Sequence, residues 1–173
     1  MFPKFTFVFG GAASGKSAYA EQLVVSSGKT RFYLATSQVF DAEMQAKIDR
    51  HILQRGAGWH TIEAPLELAE TLSELTADDV CLIDCATMWL SNHLLAESDL
   101  EPAQDRLLDA IADTPASVVV VSNEVGHGIV PDNALARKFR EAQGRLNIAL
   151  AAKADLVISV TVGLPQLLKG QLP

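Results

Sequence analysis

Residues 7–23, FVFGGAASGKSAYAEQL, carry an apolar run into a small-residue turn and out into a helix-forming segment. Gly10, Gly11, Ala12, Ala13, Ser14, Gly15, Lys16 and Ser17 satisfy G-x-x-x-x-G-K-[ST] in full. Glycines let the backbone turn its N–H groups inward around anionic oxygens. The helix that follows adds roughly half a positive charge at its N-terminus. Such a turn works only where a strand delivers it and a helix leaves it. It therefore demands a sheet whose carboxyl edge is open to a ligand.

The rest of the chain supplies that sheet. Four more β-rich runs follow Phe5–Phe9: Arg31–Ala35, Val80–Asp84, Ser117–Ser122 and Leu156–Val162. Each is short and apolar on both faces, as in a buried, mostly parallel sheet. Helical segments are expected between them, over Ser17–Val25, Asp41–Gln54, Leu66–Leu75, Pro102–Ala112 and Asn133–Ala152. In the last, Leu135, Phe139, Ala142, Leu146 and Ala149 mark one stripe, and Asp132 or Asn133 can cap it. Alternating strands and helices predict an α/β fold, a mostly parallel sheet flanked by helices in the P-loop manner. The 173 residues read as one domain, residues 1–173. In such sheets ligands bind beyond the strand carboxyl ends. Here those ends follow Phe9, Ala35, Asp84 and Ser122.

Charge narrows the ligand. Fourteen Lys and Arg face 21 Asp and Glu, a net charge near −7. That balance argues against nucleic acid or a membrane surface as partner. An anionic ligand must instead find a local positive site. Cys81 and Cys85 are too few and too close to staple a secreted fold, and read as reduced thiols. No signal segment or span of transmembrane length is apparent, so a cytoplasmic protein is expected.

Within the motif, Lys16 can reach the β- and γ-phosphates and the Ser17 hydroxyl can bind Mg²⁺. Asp84, at the tip of an apolar run, suits a Mg²⁺-linked water or a nucleotide group, or simply caps the next turn. Lys47, His51 and Arg55 fall at i, i+4 and i+8, one ridge of a helix, with Arg50 adjacent. A neutral imidazole among cations can attack phosphorus. On spacing alone the simpler reading of His51 is a half-buried histidine with solvated neighbours. His60, His93 and His127 read as surface or packing residues. Arg137, Arg140 and Arg145 ride the last helix, with a solvated face as the simpler reading.

With these motifs in place, the chain resembles the bifunctional adenosylcobinamide kinase / adenosylcobinamide-phosphate guanylyltransferase family of cobalamin synthesis. The likeness covers nearly the whole length. It rests on GGAASGKS at 10–17, YLATSQ at 33–38, DAEM at 41–44, the Ile48…His51 element and WHTIE at 59–63. It continues through Asp84-Cys85 with Trp89 and Asn92, SNEVGHGIVP at 122–131, the Arg137–Asn147 segment and Gly163-Leu164-Pro165. The combination of ATSQ with SNEVGxGIVP is far more specific than the glycine-rich motif alone. Ala13 and His60 stand where members often carry arginine.

The resemblance implies two reactions. ATP or GTP phosphorylates the hydroxyl of adenosylcobinamide, and GTP then gives its GMP unit to a histidine and onward to adenosylcobinamide phosphate. It makes His51 the guanylylated residue, with Lys16 as the other catalytic group. It extends nucleotide binding from Gly10–Ser17 to Ala35, Thr36, Ser37, Ile52, Leu53, Gln54, Arg55, Glu63 and Asp84. Glu63 is able to accept from a guanine N–H edge. Mg²⁺ is the implied cofactor, held by Ser17 and Asp84, and a homotrimer is the implied assembly. Two other readings remain at this level. One is a small-metabolite kinase with no covalent nucleotidyl step. The other is a nucleotide switch, but Asp84 is followed by Cys-Ala-Thr and Asn123 by Glu-Val-Gly, so neither D-x-x-G nor N-K-x-D is present.

Overall fold

The computed structural model describes residues 2–38, 46, 49, 52, 53 and 55–173. Among these residues seven strands form one sheet: β1 (Phe5–Gly10), β2 (Thr30–Ala35), β3 (Trp59–Glu63), β4 (Asp79–Asp84), β5 (Ser117–Asn123), β6 (Leu156–Thr161) and β7 (Leu164–Lys169). Their spatial order is β3-β2-β4-β5-β1-β6-β7. Every pairing is parallel except that of β6 with β7. Helices are α1 (Lys16–Ser26), α2 (Leu68–Ser73), α3 (Ala86–Leu95), α4 (Leu100–Asp113) and α5 (Ala134–Lys153).

Strand alternation divides the core in two. Phe7, Leu34, Cys81, Ile83, Val118 and Val120 pack with residues of α2, α3, α4 and α5. Val8, Tyr33, Leu82, Val119, Val121 and Ile158 pack with Ala20, Leu23 and Val24 of α1. Both faces of the central strands are thus covered, which is why their sequence lacks polar alternation. Each fully buried Val, Leu, Ile or Phe contributes about 1.5–3 kcal/mol.

The five strands expected from the sequence are present with ends shifted by a residue or two. Two strands and a helix were not anticipated. β3 lies at one edge of the sheet with Trp59 and Ile62 half-buried and its other residues exposed. β7 is exposed at every position on the opposite edge. Neither has the apolar signature of a buried strand. α3 follows directly from Asp84-Cys85 and is buried along most of its length, so it lacks amphipathic contrast. Of the expected helix over Asp41–Gln54, the described residues Ala46, Asp49, Ile52 and Leu53 are helical, as is Arg55. His51 and Gln54 lie outside the described residues. α5 departs from the expected stripe at its start. Leu135 is exposed, and the face against the sheet centres on Gln143, Leu146 and Leu150, flanked by Phe139, Ala142 and Ala149. Asn133 caps the helix, accepting from the Ala136 N–H at 3.1 Å.

Candidate functional site

β1 ends at Gly10, where the chain turns through Gly11–Gly15 into α1. Ala13 (φ 53°) and Gly15 (φ 90°) are both left-handed. At Ala13 this conformation costs about 1–2 kcal/mol, a price tolerated where a loop must aim its amides. A Cβ on Gly10 would meet the Val160 carbonyl at 2.4 Å and Ser14 Oγ at 2.6 Å. The loop is also tied from behind. Gly163, in the β6–β7 turn, donates its N–H to the Ser14 carbonyl at 2.8 Å. A Cβ on Gly15 would approach Gly163 Cα to 3.1 Å.

Several donors converge on this loop. No side chain caps α1, and no acidic residue sits in its first turn. Its leading N–H groups are therefore available to an anion. Ser14 Oγ is buried and unpartnered among the described residues. Lys16 is buried, and its ammonium donates to the Gly11 carbonyl at 3.0 Å, across the mouth of the loop. Burial lowers its pKa from the ordinary lysine value, while Cys85 and Asp84 pull it back up.

The other strand ends face the same helix. Tyr33, Leu82 and Val121 belong to the α1 side of the sheet. Alternation therefore sets Ala35, Asp84 and, through Trp59, Glu63 on that side as well. Tyr33 donates its phenolic O–H to Asp84 Oδ2 at 3.2 Å. Burial, with Asp84 second, raises the Tyr33 pKa, so the phenol stays a donor. Thr36 is wholly buried: its hydroxyl donates to the Cys85 carbonyl at 2.8 Å and accepts from the Cys85 N–H at 2.7 Å. Asn92 of α3 donates to the Thr36 and Pro65 carbonyls at 2.7 and 2.9 Å. That lock joins the ends of β2, β3 and β4. Glu63 is exposed at the rim, in register with Ala35.

An open cleft of about 940 Å³ runs along α1, lined by Ser14, Lys16, Ser17, Glu21 and Arg55 among others. Arg55 places its guanidinium 3.3 Å from the centre of the Tyr33 ring and 5.8 Å from that of Trp59. Its Nη1 is buried without a hydrogen bond among the described residues. Ile52 and Leu53 are exposed. Sequence reasoning passed over Glu21. It lies one turn beyond Ser17, and its carboxyl is pushed up to about 7 by burial and then by Asp84, with Arg55 opposing. The signal was the i, i+4 spacing from Ser17, which is weak without knowing which face of α1 meets the cleft.

The remaining histidines and arginines separate by position. His60 stacks on Phe32, ring centroids 5.0 Å apart, on the face of the sheet opposite the cleft. His93 is buried against Trp89. Arg140 donates to the carbonyls of Gly126 and Gly128, and Arg137 to those of Pro131 and Asp132. These two arginines fold the loop after β5 rather than riding free. Arg145 is exposed and pairs with Glu141. Cys81 and Cys85 are free thiols, and burial first, then Asp84, pushes the Cys85 thiol up to about 11. Among the described residues no three His, Cys, Asp or Glu side chains gather to hold a metal. No helix there is long and apolar enough to cross a membrane.

A strand–GxxxxGKS–helix loop at the open edge of a parallel sheet, with an aspartate ending a strand on the same face, defines a P-loop nucleotide-binding protein. The crystal structure of the flagellar accessory protein FlaH from Methanocaldococcus jannaschii shares this architecture: TM-score 0.53, 13% identity, 98% of this chain and 80% of that one covered. The sequence goes further. Residues 6–168 match the family described as cobinamide kinase / cobinamide phosphate guanyltransferase. The bifunctional adenosylcobalamin biosynthesis protein CobP of Pseudomonas aeruginosa is 41% identical over 167 residues, covering 95% of this chain and 96% of that one. CobU of Salmonella typhimurium, of the same description, is 43% identical, covering 91% and 95%. The chain belongs to this family and carries its two activities, cobinamide kinase and cobinamide phosphate guanylyltransferase.

Proposed function

We propose that residues 1–173 form a single catalytic domain whose one phosphate loop serves both reactions. The observation that carries this reading is the convergence of the uncapped α1 N-terminus, Lys16 and buried Ser14 on one cleft. In the kinase step, ATP or GTP lies with its phosphates on the Gly10–Ser17 amides. The acceptor hydroxyl of adenosylcobinamide bonds to the γ-phosphorus, the bond to the β–γ bridging oxygen breaks, and the hydroxyl proton passes to water. Lys16 stabilises the charge that moves onto the phosphate oxygens.

In the guanylyl step, a ring nitrogen of His51 attacks the α-phosphorus of GTP and pyrophosphate leaves. An oxygen of adenosylcobinamide phosphate then attacks the same phosphorus. The P–N bond breaks, His51 is regenerated, and adenosylcobinamide-GDP is released. The Ala35–Ser37 segment, Ile52–Arg55 (with Gln54), Glu63 and Asp84 line the nucleotide in this reading. Thr36 contributes by holding the strand ends. Arg55, stacked on Tyr33, offers its unpartnered Nη1 to a phosphate or base. Glu63, at the rim, accepts from the guanine edge.

Mg²⁺ fits this donor set. Magnesium in nucleotide sites takes one or two protein ligands and completes its shell with phosphate oxygens and water. Ser17 is the second residue of α1 and Asp84 ends β4 on the α1 side, and among the described residues no three His, Cys, Asp or Glu side chains gather to form an all-protein cage. When bound, the ion neutralises developing phosphate charge. The reading places the enzyme in the cytoplasm, where its nucleotides are, and as a homotrimer after its family.

The covalent step gives the test. The protein incubated with α-labelled GTP and then denatured retains an acid-labile, alkali-stable label and releases pyrophosphate. No covalent label overturns the histidine intermediate and leaves the α-phosphorus to be attacked by adenosylcobinamide phosphate directly.

Glu21 makes a second measurable prediction. Its folded pKa, near 7, lies above the ordinary 4.5. The folded state therefore binds more protons than the unfolded one between those values, and stability falls as pH rises through that window. Glu21→Gln removes this pH dependence. Discounted for partial exposure, the variant gains about 1 kcal/mol relative to the parent on going from pH 4.5 to 8. That is a differential rise of about 3 °C in melting temperature. Parallel melting curves for the two proteins across this range contradict it.

A further inference from the structure

We infer that Asn123 contacts the substrate: its side-chain amide donates to the terminal phosphate of the triphosphate on the Gly10–Ser17 loop. The inference rests on the proposal that this loop holds a nucleoside triphosphate, and it adds a residue from a strand so far without a role in either reaction.

Register places the residue. Asn123 is the last residue of β5 and pairs with Gly10, the first residue of the loop, across a parallel ladder. On its other side β5 pairs with β4, where Val121 faces Asp84. Neighbouring strands lie about 4.8 Å apart. Asn123 thus stands between the strand that opens the phosphate loop and the strand that ends in Asp84. The next residue is fastened to the loop as well, since Glu124 donates its N–H to the Gly10 carbonyl at 3.0 Å.

Alternation fixes the direction. Val119 and Val121 pack in the α1 cluster. Ser122 points to the opposite face, where its hydroxyl meets Asn147, Gln143 and Thr87. Asn123 therefore faces the α1 side, with Lys16 and Asp84. It is half-buried, and its carboxamide makes no hydrogen bond to another described residue.

Its backbone, by contrast, is held at both ends. The Asn123 N–H donates to Thr87 Oγ1 at 2.8 Å, and its carbonyl accepts from Asn147 Nδ2 at 3.1 Å. Behind these, Gln143 Nε2 bridges Ser122 Oγ and Asn147 Oδ1, each at 2.9 Å. Gln143 and Ser122 are wholly buried, and Gln143 Oε1 has no partner among the described residues. A buried polar cluster with an unsatisfied member is a poor way to gain stability, since apolar residues of similar shape would pack there without the desolvation penalty. What this cluster does is fix one strand end. Thr87, Gln143 and Asn147 are positioning residues for Asn123.

The chemistry of the side chain suits the place. A carboxamide donates to a phosphate oxygen without bringing charge. Asp84 beside it, when ionised, only accepts. A terminal phosphate between Lys16 and Asn123 would take a cation on one side and a neutral donor on the other.

The test separates a phosphate contact from a structural role. Affinities for α,β-methylene-GTP, which keeps the γ-phosphate but blocks guanylyl transfer, and for GDP are measured on the full chain and on Asn123→Ala and Asn123→Asp. Affinity for the triphosphate analogue falls about tenfold to a hundredfold in Asn123→Ala, and at least as far in Asn123→Asp. Affinity for GDP changes by less than about threefold and also reports that the variants fold. Equal weakening of both ligands, or an unchanged preference for the triphosphate, overturns the assignment. A parent protein that binds neither nucleotide overturns the loop reading itself, and the role of Asn123 with it.

Discussion

In the His51→Ala protein, α-labelled GTP leaves no covalent label, and guanylyl transfer to adenosylcobinamide phosphate falls by at least about 10³-fold. Phosphorylation of adenosylcobinamide persists within about threefold. The two halves of the chemistry part here because they attack different phosphorus atoms. The kinase step needs the γ-phosphorus, an acceptor hydroxyl and the loop, and uses no protein nucleophile. The proposed guanylyl step needs a nucleophile at the α-phosphorus, and a neutral imidazole is able to form and later release a P–N bond near neutral pH. His60→Ala is the matched control. His60 stacks on Phe32 across the sheet from the cleft, so its replacement leaves the label in place. A label lost in His60→Ala and kept in His51→Ala reverses the assignment.

How much of this was legible in the sequence depended on which physical signal each residue leaves. The phosphate loop was legible because its glycines, lysine and serine must sit at fixed spacing, and because the strand and helix around it are strongly patterned. The buried strands β1, β4, β5 and β6 announced themselves as unbroken apolar runs. The edge strands did not. β3 carries exposed His60, Thr61 and Glu63, and β7 is exposed throughout, so no hydrophobic pattern marks either one. Glu63 could be named only through the family likeness. The structure adds that it stands in register with Ala35 at the rim. Glu21 left no such mark, and Asn123 was legible only as part of the segment that follows Ser122 at the ligand edge of the sheet. Their significance lies in which neighbours a helix turn or a strand register brings them, Asp84 and Arg55 for one, Gly10 for the other. Arg137 and Arg140 of α5 misled in the same way, since a solvated face, which Arg145 does occupy, and a loop clamp have the same spacing. The bonds from Arg137 and Arg140 to loop carbonyls decide between them.

Lys16→Ala should lower the kinase turnover roughly 10³-fold and lower guanylylation of His51 as well. The ammonium lies across the loop mouth, bonded to the Gly11 carbonyl. A phosphate oxygen arriving there exchanges a neutral acceptor for an anionic one, and that gain grows as charge builds on the oxygens in the transition state. In the kinase step the charge belongs to the γ-phosphoryl group and the departing diphosphate. In the guanylyl step it belongs to the leaving pyrophosphate. One cation serves both only if both reactions place the β- and γ-phosphates on the same amides. The variant separates this from a fold defect. Lys16 is a buried charge that donates to a carbonyl, and burial already lowers its pKa. Alanine removes that desolvation cost, so the protein should melt no lower than the parent. Guanylylation that proceeds at the parental rate in Lys16→Ala would mean that GTP for this step sits elsewhere, and that the loop at Gly10–Ser17 belongs to the kinase alone.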